Sequence, residues 1–203
     1  MPDDALIVLT GDKGGVGKST IAVLVTEWLI SIGVKVKLID ADPNQTIQTW
    51  VDKCHELGYQ VNYPDASVTV IDTPGTVGSS LNKYILRAEI ILIPFQPHVA
   101  DLEVVVGWFL SVKESLQSRV VFVPNRLSRT IEQRDGMKEL EAVIAEEGRG
   151  TLINGLSNRP AVYPPLLNGR SENFFNSSQS KKILMDTQPL FREISNRLKG
   201  LEQ

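Results

Sequence analysis

Gly11-Asp12-Lys13-Gly14-Gly15-Val16-Gly17-Lys18-Ser19-Thr20 follows directly on the apolar run Ala5-Leu6-Ile7-Val8-Leu9, and this order decides the fold. It reads as a strand, a phosphate-binding loop and the start of a helix. The glycines let backbone N–H groups turn inward around a polyphosphate, Lys18 supplies a point charge to the β- and γ-phosphates, and the Ser19 hydroxyl can ligate Mg²⁺. Gly14, Gly15, Val16, Gly17, Lys18, Ser19 and Thr20 are therefore the candidate nucleotide contacts. An ordinary loop of this kind has one lysine. Here Lys13 stands five residues before Lys18, at the start of the loop, from where it can reach out of its own site.

Outward from this loop, apolar runs alternate with helical periodicity, the pattern of a doubly wound, mostly parallel α/β sheet flanked by helices. Strands are expected near Ala5–Thr10, Val34–Asp40, Val68–Asp72, Ile90–Pro94, Arg119–Pro124 and Thr151–Ile153. Helices are expected near Ser19–Ile32, Ile47–Leu57, Ser79–Arg87, Asp101–Leu116, Gln133–Glu146 and Lys181–Leu198, the last interrupted around Pro189. The 203 residues suit one domain, with no repeat or linker dividing them. Asn154–Ser180 is the longest irregular stretch. Trp28, Trp50 and Trp108 fall on predicted helices and read as core or interface residues.

Parallel sheets present their chemistry at the carboxyl ends of the strands. Leu38-Ile39-Asp40-Ala41-Asp42-Pro43-Asn44 ends the second strand with two carboxylates, and Val70-Ile71-Asp72-Thr73-Pro74-Gly75 ends the third with one. Three carboxylates beside a phosphate loop suit a hard, oxygen-ligated cation that keeps several waters, which describes Mg²⁺. Asp42 can also be read as a turn aspartate, because Asp-Pro commonly initiates turns. Phe122-Val123-Pro124-Asn125-Arg126 closes a further strand with an amide placed either to read an adenine edge or to cap a turn.

The run from Lys13 to Thr20 resembles the deviant Walker A motif of the ParA/MinD family of ATPases, and the two strand ends resemble that family's first switch and its Walker B strand. Asn44 replaces the usual Gln of the switch. The short chain and Thr49-Trp50 are most similar to the small plasmid-type ParA partition proteins. The resemblance implies a Mg²⁺-dependent ATPase that forms a homodimer around two ATP molecules. It assigns catalysis to Lys13, acting across the dimer interface, to Lys18, and to Asp42 on the attacking water. It assigns Mg²⁺ to Ser19, Asp40 and Asp72, and the adenine edge to Asn125. One departure is visible: a parallel crossover needs about a dozen residues, which Tyr63 to Val68 does not allow. An edge strand at Val61–Tyr63 is either absent or antiparallel.

The single cysteine, Cys54, excludes an internal disulfide and any CxxC metal or iron–sulfur site within one chain. No apolar run is long enough to span a bilayer and no leader pattern is apparent, so a cytoplasmic protein is expected. The net charge of −3 does not indicate a generally basic nucleic-acid binder, but residues 155–203 carry seven basic against four acidic side chains. A two-fold dimer aligns two copies of Arg170, Lys181, Lys182, Arg192, Arg197 and Lys199, an expected surface for nonspecific, nucleoid DNA. A cargo adaptor or centromere-binding partner that stimulates hydrolysis is expected with it. Two alternatives remain: a MinD-like membrane-associated ATPase, using Leu190, Phe191, Ile194, Leu198 and Leu201 as an apolar stripe, and a recruitment ATPase for conjugative DNA transfer.

Overall fold

The computed structural model describes residues 5–11, 13–75, 82–128, 130–169, 175 and 180–201. Strands β1 (Ala5–Leu9), β2 (Val36–Asp40), β3 (Val68–Asp72), β4 (Ile90–Phe95), β5 (Val120–Pro124) and β6 (Thr151–Leu152) form a sheet in the order β2-β3-β1-β4-β5-β6. Every neighbouring pair is parallel. The helices are α1 (Lys18–Ser31), α2 (Thr46–Glu56), α3 (Asn82–Arg87), α4 (Val99–Ser111), α5 (Glu114–Gln117), α6 (Ile131–Glu147) and α7 (Ser180–Gly200), with a 3-10 turn at Pro164–Asn168.

Strand alternation sorts the core into two layers. Ile7 and Leu9 of β1 pack with α1, α2 and α7, whereas Val8 between them packs with α3, α4 and α6 on the other face. Because both faces are covered, β3, β4 and β5 are buried along their whole length, and β4 and β5 read as continuous apolar runs. β1 lies between β3 and β4, so the chain leaves it at the switch point of the sheet. The glycine loop opens there.

The edge strand is absent among the described residues. Instead the segment at Asn62–Tyr63 covers the outer side of β2, where Tyr63 N donates to the Val36 carbonyl at 3.1 Å; Ser67 N, leading into β3, donates to the Lys35 carbonyl at 3.0 Å on the β3 side. On the same outer edge the Leu38 N–H donates to Asn62 Oδ1 at 2.6 Å, and Asn62 adopts the left-handed conformation, φ 60°, that lets its side chain turn back. A loop side chain thus supplies an acceptor to an otherwise open sheet edge.

Two helix expectations are corrected. The expected Asp101–Leu116 helix is two helices, because Val112 is extended and Gln117 Nε2 donates to the Phe109 carbonyl at 3.0 Å, satisfying the end of α4. The expected interruption at Pro189 does not occur; α7 runs through it. Its buried stripe of Ile183, Leu190, Ile194 and Leu198 holds both halves on one face despite the missing N–H. Of the helix expected at Ser79–Arg87, residues 79–81 lie outside the described residues. Of the stripe offered for a bilayer, Leu190, Phe191, Ile194 and Leu198 are buried core, with Phe191 stacked on Trp28 at 4.5 Å between ring centroids, and Leu201 alone is exposed. No helix among the described residues is long and apolar enough to cross a membrane.

Candidate nucleotide-binding site

Residues 10–17 connect β1 to α1, and Gly17 precedes α1 in the left-handed conformation with no side chain to cap the first turn. The first turn also lacks an acidic residue. Its N–H groups and the positive end of the helix dipole therefore face the loop and suit an anion. Lys18, buried at 6% exposure, arches back over the loop and donates from Nζ to the Lys13 carbonyl at 2.8 Å and the Gly11 carbonyl at 3.5 Å. Two glycines are sterically required. A Cβ on Gly17, at φ 100°, lies 2.2 Å from Asn125 Nδ2, and one on Gly75 lies 2.8 Å from the Gly14 nitrogen. The loops after β1 and β3 thus meet backbone to backbone, and the loop after β5 meets the first through the Asn125 side chain.

The second lysine behaves differently. The Lys13 side chain is 45% exposed and forms an ion pair with Asp101 near the start of α4, whose side chain is 5% exposed. Asp101 Oδ2 accepts a hydrogen bond from the Gln96 N–H at 3.1 Å, which fixes the carboxylate. Asp101 lies 88 positions from Lys13. No local sequence signal pointed to it.

The three carboxylates take three different roles. Asp40 Oδ1 accepts from Asp42 N at 3.0 Å, and Oδ2 from Ile47 N at 2.8 Å and Gln48 N at 3.1 Å. It organises the switch turn and caps α2, so its oxygens are occupied by backbone. Asp42 Oδ1 accepts from Asn44 N at 2.9 Å, an Asx turn, and Asp42 lines the phosphate-side hollow with Gly15, Ser19 and Thr46. Asp72 is fully buried, and neither carboxylate oxygen has a hydrogen-bond partner. Burial pushes its carboxyl up to about 7; the Ser19 side chain and the Lys18 charge pull it down, while Asp40 and Asp42 push it further up. Ser19 is close to Asp72 yet outside hydrogen-bond geometry. Among the described residues no cluster of three or more His, Cys, Asp or Glu side chains is placed to hold a metal. A cation here would draw on Ser19 and Asp72 and on oxygens from the ligand and water, as Mg²⁺ does.

Asn125 joins the phosphate loop rather than standing open. Its Nδ2 donates to the Val16 carbonyl at 2.8 Å and its Oδ1 accepts from Arg126 N at 2.9 Å. A second hollow continues from Gly17 and Thr20 past Asn125 to Arg159, Pro160 and Tyr163. Apolar walls with a few polar groups, adjoining the phosphate loop, suit a nucleotide base.

On α7, Lys181, Lys182, Arg192 and Lys199 are exposed. Arg197 is not available in the same way. It donates to Glu193 Oε1 at 2.7 Å, the Ser118 carbonyl at 3.0 Å and Thr151 Oγ1 at 3.0 Å, tying α7 to the far end of the sheet. Arg170 lies outside the described residues.

A parallel sheet with a glycine loop at its switch point, a buried loop lysine and a buried Asp at the end of the neighbouring strand define a P-loop nucleotide-binding α/β protein. The chain belongs to the CobQ/CobB/MinD/ParA nucleotide binding domain family, matched over residues 7–166. It is 27% identical over 119 residues to Protein ParA of Rhizobium radiobacter, covering 47% of this chain and 50% of that protein. The alignment thus spans about half of the curated relative. In fold it is similar to a putative plasmid partition protein of Borrelia burgdorferi bound to AMPPNP, with TM-score 0.72 and 16% identity over 94% of this chain and 100% of that one. It is also similar to the septum site-determining protein MinD of Pyrococcus horikoshii complexed with Mg-ADP, with TM-score 0.67 and 16% identity over 98% and 99% of the two chains.

Proposed function

We propose that this chain is a ParA-like ATPase that forms a homodimer around two ATP molecules, binds DNA without sequence preference in that state, and moves or partitions a plasmid or other cargo. The observation that carries this reading is the division of labour between two lysines on one loop. Lys18 is buried and turned onto its own loop, whereas Lys13 is half exposed at the mouth, held only from the side by Asp101. A lysine so placed can leave Asp101 and reach a nucleotide held by a second copy.

In the proposed cycle the α1 N–H groups and Lys18 hold the β- and γ-phosphates, and Lys13 of the opposite subunit meets charge developing on the transferred phosphoryl group. Ser19 and Asp72 would hold Mg²⁺, which would supply neutralisation of phosphate charge. Asp42 orients the attacking water, which requires the Asx turn to present its other oxygen to the hollow. A cargo adaptor or centromere-binding partner stimulates hydrolysis, which acts as a timer, and the protein works in the cytoplasm on nucleoid DNA. Lys181, Lys182, Arg192 and Lys199 carry the DNA contact.

The test is light scattering with a non-hydrolysable ATP analogue. Lys13→Ala should bind nucleotide but stay monomeric with most turnover lost, whereas Lys18→Ala should fail to bind. A dimeric Lys13→Ala protein with parental turnover refutes the trans role. Mobility shifts on unrelated duplexes, with and without ATP, test the DNA face: Lys181→Glu/Lys182→Glu should abolish a salt-sensitive, ATP-dependent shift. A shift that survives this double charge reversal removes α7 from the reading.

A further inference from the structure

Asp186, on the middle of α7, is only 15% exposed and gathers three side chains from the loop that walls the base-side hollow. Its Oδ2 accepts from Arg159 Nε at 2.6 Å and from the Tyr163 hydroxyl at 3.4 Å, and its Oδ1 accepts from the Ser157 hydroxyl at 3.1 Å. The Arg159 guanidinium is held more firmly protonated by this carboxylate, and the Tyr163 hydroxyl is pushed well above its ordinary value, first by burial and then by the Asp186 charge. Both remain donors at any physiological pH.

The loop's other anchors are apolar and backbone contacts: Tyr163 is buried in the core with Leu156 and Leu166, and Val162 packs against it. At its start Leu156 N donates to the Pro124 carbonyl at 2.8 Å and Asn158 N to the Leu127 carbonyl at 2.9 Å. At its end Leu166 is buried in the core. Between these points the backbone bonds run only within the loop, from Val162 N and Tyr163 N to the Arg159 carbonyl. Arg159, Pro160 and Tyr163 nevertheless form the wall facing Gly17 and Thr20. Beside the burial of Tyr163, the polar tie that holds that wall is the carboxylate on α7.

We infer that Asp186 is a positioning residue for base recognition: it fixes the Arg159–Tyr163 wall, so the nucleotide's base is bound only while this loop is tied to α7. The inference rests on the placement of the base in this hollow. It touches neither the phosphate loop nor the carboxylates at the strand ends. Removing the tether should therefore weaken contacts to the base and leave contacts to the phosphates intact.

The experiment compares ATP with inorganic tripolyphosphate, which has the phosphates and lacks the base, by titration calorimetry on the full chain. The parent should prefer ATP. In Asp186→Asn, ATP affinity should fall about tenfold or more, the loss expected for a buried, charge-assisted hydrogen bond, while tripolyphosphate affinity stays within about twofold. A general unfolding would weaken both ligands, so an equal loss for both overturns the inference. Equal ATP affinity in parent and variant overturns it too. A parent that does not distinguish ATP from tripolyphosphate refutes the base placement itself, a different failure from that of the tether. Should Asp186→Asn not fold, Ser157→Ala removes one half-buried partner of the carboxylate and should give a smaller loss in the same direction, for ATP only; no selective loss there overturns the proposal.

Discussion

Asp72→Asn isolates the cost of a buried charge at the end of β3. The Asp72 carboxyl is fully buried with no hydrogen-bond partner and is pushed up to about 7 from an ordinary 3.8. A raised folded value means that the native state holds its proton more tightly than the unfolded chain. The associated stability is fully present below the unfolded value and is lost as pH rises through about 7. Between pH 5 and pH 8 the loss amounts to about 2 to 3 kcal/mol. An asparagine keeps the shape and removes the titration. Its own buried amide also lacks partners, a cost of about 1 to 3 kcal/mol that is the same at every pH. The measurement is therefore the slope and not the offset: urea unfolding at pH 5, 6, 7 and 8 in EDTA without nucleotide, followed by tryptophan fluorescence. The parent should lose stability across this range relative to Asp72→Asn. At pH 8, adding Mg²⁺ and an ATP analogue should stabilise the parent markedly and the variant little, because the variant lacks the charge that the cation meets. Parallel stability curves for the two proteins would falsify the argument that burial controls this carboxyl.

Three further predictions use other parts of the site. Gly17→Ala places a Cβ 2.2 Å from Asn125 Nδ2 at φ 100°; backbone strain and the displaced hydrogen bond to Val16 should together cost about 2 to 4 kcal/mol and weaken nucleotide binding, and an unchanged urea midpoint contradicts this. Asp40→Ala removes the acceptor of three backbone N–H bonds and should destabilise the nucleotide-free protein by about 2 kcal/mol, with Asp40→Asn intermediate; a loss seen only with Mg²⁺ and nucleotide present assigns Asp40 to the metal instead. Asp42→Ala should retain ATP binding and accumulate as an ATP-bound dimer in a turnover assay, whereas parental hydrolysis reduces Asp42 to its Asx turn.

The phosphate loop, the order of strands and helices and the burial of β3 to β5 were legible in the sequence because they depend on near neighbours. Glycine spacing sets the loop backbone, and a run of apolar residues flanked by amphipathic helices has few ways to bury both faces. That no parallel edge strand could precede β3 was legible too, as a matter of chain length, but whether the segment is absent from the sheet or antiparallel to it was not. How each polar atom is used was not. Asp40, Asp42 and Asp72 look alike as carboxylates at strand ends, yet one caps a helix, one closes a turn and one is buried without a partner. Asn125 braces Val16, Arg197 ties α7 to Ser118 and Thr151, Lys13 pairs with Asp101, and Asp186 holds a loop near residue 159. Each of these partners lies far along the chain. A side chain's donors and acceptors are satisfied by whatever the packed layers bring within about 3 Å, so only tertiary structure decides which candidate residues face the ligand and which hold the site together.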